Sequence, residues 1–403
     1  MDEIQVPPYF ICPISLEMMR DPITVSTGIT YDRENIEKWI FSAKNNTCPV
    51  TKQSLTGTEL TPNVTLRRLI QSWCTLNASH GIERFPTPKP PISKPQIMKL
   101  LKEAKSPEMQ MKCLKSLRSI ASENDANKRC MESAGAAEFL ASIIISNPND
   151  EGFGSLTGTK DEALSILYHL KLSEHGLRSL IMGGNGEFIE SLTRIMQHGS
   201  YESRAYAVLL LKKAFNSFEI MSLKQEFFIQ VIQVLSDEIS EKASKASLQI
   251  LVNVCQWGRN RVKAAEADAV RVLVNLLLDS TDKRACELML ILLDQLCQSA
   301  EGRAELLKHA AGLAIVSKKI LRVSKLASER AIKILHSISK FSAAPTVLQE
   351  MLNLGVVAKL CLVLQVDCGS KTKDRAREIL KLHAKAWRSS PCVPLNLLST
   401  YPF

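Results

Sequence analysis

The sequence predicts a mainly α-helical protein: a small α+β domain over residues 1–78, then a long α-solenoid. Three observations predict this. Leu, Ile, Ala, Lys and Glu are abundant while aromatics make up only 5% of 403 residues, a composition that leans helical. From Gln96 onward almost every segment repeats its apolar residues with the helical period. Within that helical part, a landmark recurs at intervals expected of stacked repeats.

Taken in order, residues 1–78 mix turn residues, β-branched residues and short helical patterns. Pro86, Pro88, Pro90, Pro91 and Pro95 then make residues 79–95 a semi-rigid extended spacer that cannot sustain a helix. The solenoid follows over residues 96–390, as about six to seven repeats. Its landmark is a short helix ending in a loop, then a Gly or small residue and a second apolar helix. It occurs at Ala134-Gly135-Ala136, Asn185-Gly186-Glu187, Ala267-Asp268-Ala269, Ala311-Gly312-Leu313 and Leu354-Gly355-Val356. From 268 to 312 is 44 residues and from 312 to 355 is 43, and the 82 residues from 186 to 268 fit two repeats. The step from Gly135 to Gly186 is longer, with an insert around Asn147 to Thr159.

A second column keeps the same phase. Long helices are expected over 162–172, 202–215, 242–255, 284–297 and 329–341. A polar residue recurs in this helix row at Ser119, His169, Lys213, Asn253, Gln295 and Ser337. Six residues before each stands Cys113, Ala163, Ala207, Ser247, Met289 or Ala331, small in all but one, which lets neighbouring helices approach closely. Repeats of about 40–47 residues with two or three helices indicate an armadillo or HEAT solenoid, and the Gly-apolar landmark resembles armadillo repeats.

The bulk numbers bound the function. Hydrophobic content of 45% supports a large core. Met1 to Pro8 has no basic region, apolar core or cleavage site, so no signal peptide is read there. The longest apolar runs, such as Leu288 to Leu293, fall far short of the about 18 residues of a membrane span. A soluble, intracellular and cytoplasmic protein is expected, with its eleven scattered cysteines as free thiols. The net charge of +10 is spread along helices without stacking aromatics, which argues against a nucleic-acid partner. A basic nucleic-acid-binding solenoid is the alternative, and it requires steeply salt-dependent binding.

The most informative stretch runs from Tyr9-Phe10-Ile11-Cys12-Pro13-Ile14-Ser15-Leu16-Glu17 to Asp21-Pro22. It continues through Thr27-Gly28-Ile29-Thr30-Tyr31-Asp32-Arg33, Ile36-Glu37-Lys38-Trp39, Cys48-Pro49-Val50-Thr51-Lys52, and Leu60-Thr61-Pro62-Asn63 to Ile70. This resembles the U-box, a RING-like fold without zinc, along its whole length. A zinc RING needs two ions with four Cys or His ligands each. The region offers Cys12, Cys48 and Cys74, no C-x₂-C pair and no histidine before His80, so metal and cofactor are both expected to be none. Cys12, Ser15, Glu17, Asp32, Arg33 and Cys48 stand where a RING places ligands and are candidates for a replacing polar network, with both cysteines as buried small hydrophobes. A catalytic thiol is disfavoured, because each cysteine precedes proline in apolar surroundings without a histidine nearby.

The resemblance implies an E3 ubiquitin-protein ligase that forms no covalent ubiquitin intermediate. It binds a ubiquitin-conjugating enzyme carrying thioester-linked ubiquitin and orients the thioester for attack by a substrate lysine. Carried onto this chain, the conjugating-enzyme contacts are Ile14, Leu16, Trp39 and Pro49. Lys52 falls at the linchpin cation that holds ubiquitin in its reactive pose, where relatives carry Arg. Lysine lacks the planar bidentate geometry of arginine.

In armadillo proteins the third helix of each repeat lines a groove. Ser119, His169, Lys213, Asn253, Gln295 and Ser337 are either groove contacts for a protein substrate or merely solvent-facing. The places four residues earlier hold no tryptophan, unlike the nuclear-import armadillo family. Trp257 and Trp387 are read as packing or capping residues, and the apolar tail 391–403 as a cap on the last repeat. The order U-box, Pro-rich spacer, armadillo repeats resembles the compact subgroup of plant U-box ligases. That subgroup implies roles in immune and drought-stress signalling through proteasomal marking, and homo-oligomers occur in the family. The competing reading is an armadillo scaffold with a degenerate U-box, against which Ile14, Trp39 and Pro49 are intact.

Overall fold

The computed structural model describes residues 5–42, 45–55, 60–78, 92–146, 156–182, 186–217 and 223–388, and the chain divides into two units, Met1–Pro91 and Ile92–Phe403. In the first unit, β1 (Pro22–Thr24) pairs antiparallel with β2 (Thr30–Asp32), Ile23 opposite Tyr31. The hairpin turns through Gly28 at φ +81°. A short β3 (Thr61–Pro62) pairs with the other edge of β1, giving the order β2-β1-β3.

Helix α1 (Arg33–Glu37) follows β2 directly and widens into a π-helical turn, Lys38–Ser42. Helix α2 (Val64–Leu76) starts at Asn63, whose side-chain oxygen accepts the Leu66 N–H at 3.0 Å. The Asn63 amide also donates to the Thr24 and Thr30 hydroxyls at 3.4 and 3.5 Å, tying the helix start to the sheet. Phe10, Met19, Tyr31, Ile36 and Ile70 form the small core between these elements.

The second unit opens on α3 (Lys94–Glu103), capped by Ser93 and Gln96. Lys94 and Pro95, expected in the spacer, form its first turn, where proline's missing N–H has no cost. Residues 79–91 of the expected spacer and the whole expected tail lie outside the described residues. Helix α4 (Pro107–Glu123) completes an opening pair.

Repeats follow as α5 (Asp125–Ser133), α6 (Ala136–Ile145) and α7 (Leu156–His169), then α8 (Glu174–Met182), α9 (Glu187–His198) and α10 (Tyr201–Ser217). The next has two described helices, α11 (Gln225–Ser236) and α12 (Glu241–Val254). Three full repeats complete the row: α13 (Gly258–Glu266), α14 (Ala269–Asp279), α15 (Lys283–Leu296); α16 (Ala300–Lys308), α17 (Gly312–Lys319), α18 (Lys325–Phe341); α19 (Pro345–Asn353), α20 (Val356–Gln365), α21 (Ser370–Leu382). A last turn, α22 (Ala384–Arg388), buries Trp387. Of the insert expected at Asn147 to Thr159, residues 156–159 are already the first turn of α7, and 147–155 lie outside the described residues.

Four of the five sequence landmarks are single left-handed residues between the first and second helix: Gly135, Gly186, Asp268 and Gly355, with φ of 66–90°. One such residue turns the chain sharply, as in the 64° bend between α19 and α20. Gly312 is different. It opens α17 in helical conformation, and a Cβ there would stand 2.0 Å from the Leu306 carbonyl oxygen and 3.1 Å from Leu306 Cδ1. Its glycine is a close-packing requirement. Gly312→Ala should lower the thermal midpoint of the solenoid by several degrees, as backbone overpacking of about 1–3 kcal/mol implies. Gly355→Ala meets open space and has only its left-handed φ to oppose it, so its loss should be smaller in the same melting measurement.

The helices α4, α7, α10, α12, α15, α18 and α21 pack one on the next, more closely than the second-helix layer behind them. Such a stack curves with the tighter layer inside. The six small-column residues, from Cys113 to Ala331, are all buried at these crossings. At the end of the stack Trp387 covers the last core, its indole N–H donating to the Ile379 carbonyl at 3.5 Å with the His383 ring 5.7 Å away. Trp257, by contrast, is partly exposed at the N-cap of α13. The ten described cysteines are free, and no single described helix is long and apolar enough to cross a membrane.

Candidate functional site: two apolar knuckles and a tryptophan

Two loops of the first unit are built alike. In one, the Cys12 N–H donates to Glu17 O at 2.8 Å and the Leu16 N–H to Cys12 O at 2.9 Å. In the other, Cys48 donates to Gln53 O at 2.8 Å and Lys52 to Cys48 O at 2.9 Å. Leu16 and Lys52 take matching left-handed conformations, φ 59° and 58°. A bridge closes each loop, Ile11 with Met18 and Thr47 with Ser54. A left-handed non-glycine residue costs about 1–2 kcal/mol and marks a place where surrounding structure over-determines the backbone.

The sulfurs hold these knuckles from within. Cys12 Sγ accepts from the Asp32 N–H at 3.3 Å and the Asn35 amide at 3.8 Å. Burial pushes this thiol's pKa up, but the Asp32, Ser15 and Ile14 N–H groups and the Ser15 hydroxyl outweigh it and hold it below the usual range. Cys48 Sγ accepts from Thr27 Oγ1 at 3.3 Å and lies 3.0 Å from the Tyr31 hydroxyl. Burial again opposes ionisation there, yet donors from Thr27, Thr51 and Tyr31 draw the pKa down to about 6. Tyr31 itself is pushed up by burial and its Cys48 partner, so it keeps its proton for the sulfur. Both cysteines, expected as buried small hydrophobes and as members of the replacing network, lie in the core, and each sulfur takes more than one polar contact. Both are also fully buried, so neither can reach a thioester carbon.

The remaining network is partly the expected one. Asp32 accepts the Arg20 and Asp21 N–H groups, each at 2.8 Å, and burial raises its pKa against them. Arg33 pairs through Nε with Asp21 at 2.5 Å and reaches Glu37 at 3.6 Å. Glu17, also expected in the network, is exposed, and among the described residues only its backbone carbonyl serves the knuckle. Sequence reasoning missed Asp21, which also binds Arg67 at 3.4 Å and so joins β1, α1 and α2. It missed Tyr31 and Thr27 for the same reason. Their partners are distant in sequence and follow no spacing rule.

At the surface the knuckles present apolar side chains. Leu16 is 76% exposed and Val50 51%, with Ile14 and Pro49 half-buried beside them. Trp39, from the π-helical turn, is half-buried beside the second loop. Its indole N–H donates to the Thr47 carbonyl at 2.8 Å, and Lys52 Nζ lies 5.9 Å over its ring. Val50 was missed, although the signal was present: it stands two residues after Cys48, as Ile14 does after Cys12. Among the described residues no cluster of three or more His, Cys, Asp or Glu is arranged for a metal. The exposed part of this arrangement is an apolar surface framed by two hydrogen-bonded loops.

The U-box domain profile matches residues 6–79, and the profile of the plant U-box protein ARM repeat region matches residues 96–403. The chain belongs to the plant U-box family of E3 ubiquitin-protein ligases. Two Arabidopsis thaliana proteins, E3 ubiquitin-protein ligase PUB23 and E3 ubiquitin-protein ligase PUB22, are 57% and 56% identical to it. The alignments cover 100% and 99% of this chain and 98% and 99% of theirs. E3 ubiquitin-protein ligase PUB24 of the same plant is 36% identical over 99% of this chain and 96% of its own.

In this U-box ligase the polar column of the solenoid is divided between two roles. Three members bind the preceding inner helix: Asn253 to Asn216 at 3.1 Å, Gln295 to the Val252 carbonyl at 3.1 Å, and Ser337 to the Cys297 carbonyl at 2.8 Å. They hold adjacent repeats in register. Ser119 is exposed, and His169 bonds its own helix at Ser165 O, 2.8 Å. Lys213 lies over the Tyr168 ring at 5.2 Å. On the same layer, Glu162 Oε1, Gln249 Oε1 and Gln295 Oε1 are buried acceptors with no donor among the described residues.

Proposed function

We propose that the knuckles and Trp39 dock a ubiquitin-charged conjugating enzyme through Ile14, Leu16, Trp39 and Pro49, joined by Val50. Lys52, held over the tryptophan face, then contacts the thioester-linked ubiquitin and favours its reactive pose. The observation that carries this reading is the pair of matched, strained knuckles with their apolar residues turned to solvent. Large exposed apolar side chains around one aromatic anchor are the composition of an interface hot spot. The inner helix layer of the solenoid holds the protein to be modified, whose lysine attacks the thioester.

The ligase belongs in the cytoplasm, alone or as a homo-oligomer, marking proteins for the proteasome in plant immune or stress signalling. Kinship with other plant U-box ligases supports that setting. The test is a reconstitution of the full chain with activating enzyme, ubiquitin, ATP and a panel of conjugating enzymes. At least one pairing should give ubiquitin conjugates of the ligase that survive reducing agent, with no thiol-labile adduct on the ligase. Silence with the whole panel would remove the reading.

A further inference from the structure

Between α7 and α10 the inner layer carries a side-chain cluster that the proposed function does not by itself explain. The rings of Tyr168 and Tyr206 stack with centroids 4.8 Å apart and an interplanar angle of 29°. His169 meets both edge-on, at 5.2 and 5.5 Å. Over Tyr168 lies the half-buried Lys213 ammonium, 5.2 Å from the ring centroid.

Two described carboxylates of α7 and α10 already have partners. Glu162 takes the Arg118 guanidinium at 3.0 Å, and Glu202 takes the Tyr206 hydroxyl at 2.8 Å. Arg204 of the same helix is paired with Asp237. No described carboxylate pairs with Lys213, and the charged group that acts on it most is another cation, Lys171. Burial and that like charge hold the Lys213 ammonium below its usual pKa. A cation that has given up part of its hydration, with a second cation nearby and no described carboxylate paired with it, is a site incomplete in charge.

We propose that Tyr168, His169, Tyr206 and Lys213, with Lys171 beside them, form a subsite that seats an acidic side chain of the substrate segment held by the solenoid. The stacked rings supply an apolar floor for the methylenes of Asp or Glu, and the Lys213 ammonium takes the carboxylate. His169 Nδ1 is committed to Ser165 O, which fixes its ring at the edge of the tyrosine stack. A carboxylate fits better than a phosphate. Phosphate recognition favours a free guanidinium with its bidentate fork, and the two arginines here are paired. The inference rests on the inner layer being the substrate surface, and it adds the class of residue recognised there.

The test is a displayed library of extended nonapeptides selected on the full chain, with wild type, Lys213→Met and Lys213→Glu run in parallel and thermal melting as the fold control. Wild type should enrich Asp or Glu at one fixed position. Lys213→Met, which keeps a linear stem on Tyr168, should lose that enrichment, and Lys213→Glu should replace it with Lys or Arg. For one selected peptide, changing the acidic residue to Gln should weaken binding about tenfold, the worth of one charge-assisted hydrogen bond. Binders without acidic preference, or the same preference in Lys213→Glu, overturn the subsite. A phosphoserine arm that binds tenfold tighter than Glu overturns the choice of carboxylate. Selected peptides that bind undiminished when Gln249 and Gln295 are changed together to Lys lie off the inner layer. That outcome removes the groove reading, which separates its failure from that of the subsite.

Discussion

Ile14→Ala and Trp39→Ala are expected to reduce autoubiquitination at least tenfold at sub-saturating charged conjugating enzyme. Truncating an aromatic anchor at an interface centre costs about 2 kcal/mol or more, which is some thirtyfold in affinity. Trp39, the proposed anchor, is also a strut, since its indole holds the Thr47 carbonyl and its ring meets Lys52. Loss of activity in Trp39→Ala alone therefore does not separate docking from local order. Leu16→Ala does. Leu16 is 76% exposed, so its truncation removes almost no packing, and alanine bears the same left-handed φ no worse. It should leave the melting curve in place and still cut activity several-fold. Full activity in Ile14→Ala, Leu16→Ala and Trp39→Ala would contradict the interface.

Asp21→Ala should be the most damaging single change to the U-box fold outside its apolar core. One carboxylate receives Arg33 at 2.5 Å and Arg67 at 3.4 Å, while the Asp21 backbone gives its N–H to Asp32 and its carbonyl to the Arg33 N–H. Removing the acid leaves Arg67, with its side chain 22% exposed, facing no described anion, and Arg33, 16% exposed, with only Glu37 at 3.6 Å. Breaking a fully buried pair costs about 3–5 kcal/mol, and partial exposure discounts this to roughly 2–3 kcal/mol. For a domain of this size that is a large share of the total, and it corresponds to a midpoint lower by roughly 10–20 °C. Differential scanning calorimetry should show the U-box transition falling while the solenoid transition stays. Asp21→Asn, which keeps an acceptor for Arg33, should lie between. An unchanged first transition in Asp21→Ala would show that the pair contributes nothing.

What the sequence made legible follows from how local each signal is. The Gly-apolar landmarks and the small column were readable because one backbone geometry repeats at every turn of the stack. Gly135, Gly186, Asp268 and Gly355 all carry the left-handed residue that the pattern implies. Gly312 looks the same in sequence yet serves packing against Leu306, a distinction that only three-dimensional neighbours make. The two knuckles were written in the sequence as Cys12-Pro13 and Cys48-Pro49 with an apolar residue next, and reading them as one motif would have found Val50. The Asp21–Arg67 link spans 46 positions and was not readable. The polar column lies along one row of helices but is mixed in its bonding. Asn253, Gln295 and Ser337 bind neighbouring helices, and Lys213 became notable only once Tyr168 and Tyr206 were seen to stack beside it.

The central claim is that the U-box accelerates transfer by orienting the thioester, with the solenoid concerned only with which protein is modified. Single-turnover discharge of ubiquitin from a charged conjugating enzyme onto free lysine tests it most directly, because no protein substrate is present. The full chain should speed discharge. Trp39→Ala should return the rate to that of the conjugating enzyme alone. Lys52→Ala should slow discharge while leaving conjugating-enzyme affinity unchanged. A full chain that binds the charged enzyme yet leaves the discharge rate unaltered would contradict the account.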